Sequence, residues 1–227
     1  MLITINAKAS QPKITQSFAA TDFTAPEYAA IKSAVGKYKT IPLQYEKQVL
    51  LALSYFPELL NTRIIFRVKH TYSPLSTRPA WTSVVIPPQF RTYIITISDS
   101  SMNLLTPILF NKMDFNAQVG VIGHELSHVA DFSGKHVLGL LRVGAGNLSH
   151  KFLDRFEFKT DSICIDHGLG YQLLSWSIFV RKNLHHENYD GADNVRTPML
   201  KERYMNPDTI RKRIGSLTMY RNVKMTQ

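Results

Sequence analysis

The sequence predicts an α+β fold, with a small mixed sheet in the first half and a mostly helical second half. Three observations carry this expectation. Residues 63–69, 81–86 and 91–98 are short runs rich in Ile, Val, Thr, Tyr and Phe, the types that suit a pleated, half-buried surface. From about residue 115 onward, apolar residues recur at helical spacing through successive segments. Strands that precede helices, rather than alternate with them, point to α+β rather than to a doubly wound sheet. With 227 residues and 44% hydrophobic content, the chain can bury a substantial core. No repeat, low-complexity stretch or linker divides it, so residues 1–227 read as one domain.

Residues 1–24 form an N-terminal segment. Its opening lacks the basic start and long apolar stretch of a signal peptide, yet Ala7-Lys8-Ala9 has the A-x-A form of a signal-peptidase site. Two readings stay open. A remnant of an export signal points to an exported or periplasmic protein; an ordinary strand at residues 2–5 leaves a cytoplasmic address. Thr24-Ala25-Pro26-Glu27 is a capping box and opens a helix that runs to about Lys39. A second helix covers residues 42–55 and stops before Pro57, because the residue preceding a proline avoids the helical region. Pro87-Pro88 separates the last two strand-like runs as a turn, and Pro107 makes residues 104–110 ambiguous. Beyond a long helix that begins near residue 115, helical patterning returns at about 136–143, 149–167, 170–184 and 207–217.

That long helix holds the most informative stretch of the chain, His124-Glu125-Leu126-Ser127-His128. Asp114 or Asn116 caps its start, and Gly134 stops it after Phe132. Histidines four apart lie one above the other on a helix face, so both imidazoles can reach one tetrahedral Zn²⁺. Glu125 then points to where water on the metal would sit, and zinc lowers the pKa of that water to about 7. The residues Val119, Val121, Ile122, Leu126 and Val129 make the helix apolar and therefore buried. Buried imidazoles and carboxylates need partners, which argues against a pair of surface histidines beside a solvated Glu. The implied chemistry is metal-assisted hydrolysis, most often of a peptide bond.

Catalytic zinc takes three protein ligands and keeps a fourth position open. One scheme draws a third His from six residues after His128, beyond a glycine turn. Asp131 stands where that glycine belongs, Gly134 stands where that His belongs, and His136 is two residues late. A second scheme draws a Glu from another helix. Glu157 and Asp161 are four apart on one helical face of the 149–167 segment. Glu157 can bind the metal while Asp161 accepts the N–H of a liganding imidazole and fixes its orientation. Cys164 or Ile165 and then Gly168 continue that face, and small residues there would let the two helices approach closely. An ordinary charged face, paired through Arg155 or Lys159, is the plain alternative.

At this point the chain resembles a known clan. His124-Glu125-Leu126-Ser127-His128 followed by Glu157-Phe158-Lys159-Thr160-Asp161 looks like the gluzincins, and within them the prenyl-protease and HtpX-like class of metallopeptidases. The matched core covers about residues 113–170. The resemblance implies a zincin-like fold, in which an edge strand of a small mixed sheet lies beside the motif helix. It implies one catalytic Zn²⁺ held by His124, His128 and Glu157, with Glu125 as general base and Asp161 supporting a ligand. It also implies a peptide or protein substrate that pairs with the sheet edge, expected at residues 92–97. The match departs from the class in two places. The integral-membrane members carry several spans, whereas the longest apolar runs here, such as 49–53 and 178–180, are far too short. A later His-Pro element that steadies the oxyanion is replaced by Tyr204-Met205-Asn206-Pro207, so Tyr204, His185 or His186 would have to donate instead.

Composition bounds the alternatives. The single Cys164 rules out an internal disulfide framework and a cysteine zinc site, and it reads as a small buried residue. The charge of +10 arises from 27 Lys and Arg against 17 Asp and Glu, with Arg196, Lys201, Arg203, Arg211, Lys212, Arg213, Arg221 and Lys224 toward the end. No nucleic-acid motif accompanies them, so a solvated basic face is the preferred reading over a nucleic-acid site. A SprT-like, nucleic-acid-associated protease would draw a third His from a downstream helix, where this chain offers Glu157. A non-catalytic zinc protein that binds peptide would need a fourth protein ligand, for which His136 and His150 are the candidates. Nothing in the sequence sets an oligomeric state.

Overall fold

The computed structural model describes residues 13–101, 103–146, 149–185, 202–221 and 223. The expectations for residues 2–5 and Ala7–Ala9, and those for His186, Arg196, Lys201 and Lys224, lie outside the described residues. The fold is α+β: a four-stranded mixed sheet followed by a helical C-terminal half. No helix of the described residues is long and apolar enough to cross a membrane.

The chain enters through α1 (Ala25–Val35), whose capping box forms with Thr24 accepting from the Glu27 N–H and Glu27 accepting from the Thr24 N–H. The helix ends at Gly36, short of the expected Lys39. Tyr38 turns into the left-handed region at φ 64° and launches β1 (Lys39–Thr40). A 3₁₀ turn at Leu43–Tyr45 leads into α2 (Glu46–Leu53), whose last five residues are buried. Then come β2 (Arg63–Val68), β3 (Leu75–Pro79) and β4 (Thr92–Ile97). The sheet order is β1-β2-β4-β3, with β1, β2 and β4 parallel and β3 antiparallel to β4.

Two strand expectations need correction. Residues 81–86 are not a strand: Trp81–Ser83 form a 3₁₀ turn, which Ser83 holds by donating its hydroxyl to the Ala80 and Thr92 carbonyls. Residues 92–97 are not the edge. They lie between β2 and β3, and β3 is the edge beside the long helix. The segment Leu-Ser-Thr-Arg-Pro has weak strand propensity, and pairing along the buried, β-branched β4 overrides it. Pro79, which has no N–H to give, is tolerated because its nitrogen faces away from β4, the side on which β3 has no partner strand among the described residues.

The long helix, α3 (Phe115–Ser133), runs through the centre of the molecule. Asp114 caps it by accepting the Ala117 N–H at 2.8 Å, and Gly134 follows its last residue. α4 (Val137–Gly146), α5 (His150–Cys164), α6 (Gly170–Leu184) and α7 (Pro207–Ser216) complete the fold. α3 packs against α2, α5, α6 and β3. Glycine makes the α3–α6 crossing possible: a Cβ at Gly120 would stand 2.1 Å from the Gln172 carbonyl oxygen. Gly123 does the same toward α5, where the buried Cys164 sulfur would lie 3.1 Å from such a Cβ.

A single π turn at Ile165–Leu169 joins α5 to α6, with Gly168 at φ 99°. His167 in this turn stacks on Phe56, points Nδ1 at the Ile163 carbonyl and sets Nε2 2.8 Å from Glu58. Both ring nitrogens therefore face acceptors, which favours the imidazolium. Burial opposes both charges, yet their mutual bond prevails. Glu58 is held below its ordinary 4.5 and His167 above its ordinary 6.5. The His167 contribution to stability is complete below about pH 6.5 and is lost as pH rises through its raised pKa. The Glu58 contribution is complete above about pH 4.5 and is lost as pH falls through its lowered pKa. The Tm gap between wild type and His167→Gln should therefore be widest between these two values and narrow on the alkaline side. A gap indifferent to pH would show that this pair is not charged in the fold.

Candidate metal centre

His124, Glu125 and His128 lie in the most buried stretch of α3, and α5 brings Glu157 against them. The Glu157 Oε2 atom stands 3.2 Å from Nε2 of His124 and 3.2 Å from Nε2 of His128. Neither contact has hydrogen-bond geometry, and this buried oxygen has no other partner. A buried carboxylate oxygen without a donor is costly, and a cation is what would satisfy it. The three donor atoms lie within 4.8 Å of one another, and no further His, Cys or carboxylate joins them among the described residues. Ligands at zinc distances of about 2.0–2.2 Å in a tetrahedron are roughly 3.4 Å apart, close to the spacing of these atoms.

The orientation of each imidazole is set from behind. His124 directs Nδ1 at Asp161 Oδ1, 2.8 Å away, while Asp161 Oδ2 accepts the Met205 N–H at 2.7 Å. His128 directs Nδ1 at the Thr160 hydroxyl, 3.2 Å away, and that hydroxyl donates to the Phe156 carbonyl at 2.9 Å. With its proton committed to Phe156, Thr160 can only accept from His128. Nδ1 is thus the engaged side of each ring, which leaves Nε2 facing Glu157 and open to exchange a proton for a metal. Burial opposes protonation of His124, but Asp161 and Glu157 outweigh it and push its pKa up to about 10. Burial also opposes the Glu157 charge, but the His128 and His124 rings hold it well below the usual carboxylate range. The cluster favours positive charge placed among these atoms.

Glu125 is buried and faces β3, where the Thr77 hydroxyl donates to Oε2 at 2.6 Å. A small cavity of about 40 Å³ opens beside it, walled by Leu75, Val121, His124, Trp176 and Tyr204. Tyr204 lies with its ring centroid 5.6 Å from that of His124 and 5.9 Å from that of Trp176. The expected site residues His124, Glu125, His128, Glu157, Asp161 and Tyr204 thus come together.

Other candidates do not join them. His136 is exposed beside Val137 and Leu138, and His150 faces Arg203 at 3.3 Å. His185 ends α6 in the left-handed conformation. Asn206 caps α7 by accepting the Thr209 N–H and donates to Glu202, a structural role. Lys159 pairs with Asp131 and Arg155 with the Lys151 carbonyl, so neither neutralises Glu157. Sequence reasoning missed Thr77, Thr160 and Trp176. Thr160 was within reach, since it stands three residues after Glu157 and so shares its helix face. Thr77 was not, because nothing local marks residues 75–79 as a strand.

Comparison with models of known protein families, with curated proteins and with solved structures finds no match for this chain.

Removing either support should loosen the centre without removing a ligand. Thr160→Val and Asp161→Asn should each weaken zinc binding roughly 10–100-fold in a competition titration with a chelating dye. Unchanged affinity in both variants would mean that the rings are oriented by something else.

Proposed function

We propose that this chain is a zinc-dependent endopeptidase of gluzincin type on a zincin-like fold, acting on peptide or protein substrates. The observation that carries the reading is the orphaned Glu157 Oε2, buried 3.2 Å from two imidazole Nε2 atoms whose Nδ1 sides are already engaged. His124, His128 and Glu157 would hold the ion. A Zn²⁺ there would supply the Lewis acidity that activates water and polarises an amide carbonyl near neutral pH. Three protein ligands leave one position open, which suits catalysis better than a closed structural site.

The chain's own groups account for the proton traffic. Glu125 takes the proton of the attacking water and returns it to the leaving amine. Thr77 steadies Glu125 by donating to Oε2, so the other carboxylate oxygen is the one that works. Tyr204 walls the same cavity, and its phenol would donate to the developing oxyanion.

β3 supplies the substrate track. Its register on β4, with the Ala80 N–H donating to the Thr92 carbonyl and the Ser98 N–H donating to the Pro74 carbonyl, places residues 74, 76, 78 and 80 in the bonded pairs. The backbone N–H and C=O of Thr77 therefore point away from β4. An extended peptide pairing there would lie alongside Glu125.

Glu125→Gln should abolish peptide hydrolysis while keeping bound zinc, and Glu157→Ala should lose zinc as measured by elemental analysis. Retained turnover in Glu125→Gln would sink the mechanism; equal zinc in Glu157→Ala would move the third ligand elsewhere. Thr77→Val should lower kcat about tenfold with little change in KM, because it removes one bond to a charged group. A change confined to KM would instead make Thr77 a substrate contact.

A further inference from the structure

The 3₁₀ turn at Trp81–Ser83, the loop after it and α4 together form a second surface feature, and it is apolar. Trp81, Val85, Phe90, Leu138 and Leu141 are 57–80% exposed. Two clefts run between the 78–91 segment and α4, one bordered by Trp81 and Leu141, the other by Val85 and Leu138. The two segments therefore share one face. Leu138 and Leu141 are three apart on α4 and project from the same side of it.

The charge of this face is one-sided. Residues 59–98 and 132–153 contain no Asp or Glu, while they carry Arg78, Arg142 and Lys151; Lys135 is answered by Asp131. Arg142 and Lys151 are exposed, and Arg78 lies over the Trp81 ring at 5.4 Å. Behind the face, Arg91 is almost wholly buried. It donates to the Ile86 and Lys135 carbonyls, its Nη2 has no partner, and no carboxylate pairs with it among the described residues. A buried guanidinium in a weakly screened surround adds to the positive charge behind this face.

We propose that this face seats the protein on an anionic phospholipid bilayer. Protruding Trp, Phe, Val and Leu side chains enter the interfacial zone, and Arg142 and Lys151 meet lipid phosphates. α4 has 10 residues and so lies in the plane of the surface rather than across the membrane. Two features favour lipid over a second copy of the chain. Symmetric pairing would set this acid-free, basic face against itself, with no carboxylate to answer it. The exposed side chains also project outward, as suits a deformable lipid surface. The proposal stands independently of the peptidase reading.

The test is co-sedimentation of the full chain with vesicles of phosphatidylcholine, with and without phosphatidylglycerol. The chain should pellet with the mixed vesicles, less so as salt is added, and Trp81 emission should shift to the blue. Val85→Glu with Leu138→Glu, at open positions, should weaken partitioning roughly tenfold or more with the circular dichroism spectrum unchanged. Arg142→Glu with Lys151→Glu, a pair that leaves the apolar residues in place, should weaken it roughly tenfold or more for mixed vesicles only. Failure of the folded wild type to bind mixed vesicles would overturn the proposal. So would equal binding by both variant pairs, or equal binding of wild type to neutral vesicles. A dimer by light scattering, dissociated by the Glu pair and blind to vesicles, would give the face to a second copy.

Discussion

Asp161 is the group on which the candidate centre depends. It is 1% exposed, and each of its oxygens is spoken for by a different part of the chain. Oδ1 faces the His124 ring on α3, and Oδ2 takes the Met205 N–H from the segment that leads into α7. A buried carboxylate left without donors would cost far more than a typical hydrogen bond contributes. The fold therefore has to bring α3, α5 and the Met205 backbone to one point. The glycine-lined approach of α3 to its neighbours is what allows that convergence at such short range.

The same economy runs along α3. Its apolar residues pack into the core, while His124, Glu125, Ser127 and His128 are buried beside them. Each polar group is answered by a group from another element or by the helix itself. Asp161 and Thr160 serve the imidazoles from α5, Thr77 serves Glu125 from β3, and Ser127 donates to the Gly123 carbonyl one turn back. The exception is Glu157 Oε2. Other buried side-chain atoms among the described residues also lack a partner, Arg91 Nη2 for one, but this oxygen lies between two imidazole nitrogens, and that placement is a chemical signal.

Much of this was legible in the sequence where the determinants are local. The Thr24 capping box, the Asp114 cap, the Gly134 stop and the His124–His128 spacing all act within a turn or two of helix. Glu157 and Asp161 could be read because they share a helix face. What stayed hidden is non-local. β3 exists because β4 offers it a partner, so its own residues say little. Residues 81–86 have strand composition but find no strand to pair with, and Trp81 and Val85 are left at the surface. The Met205 N–H could not be singled out at all, since every residue but proline carries one.

The Met205 contact has a consequence for how the protein matures during synthesis. The ribosome delivers α3 and α5 well before residue 205, so the motif histidines and Glu157 can assemble while Asp161 still lacks one of its donors. Until residues 202–206 dock, with Arg203 on Asp154 and the Met205 carbonyl on Ser177, Asp161 Oδ2 lacks its donor. The centre is thus completed late. A chain still tethered to its ribosome carries His124, His128 and Glu157 but not the finished support, a built-in delay between making the residues and setting them in order.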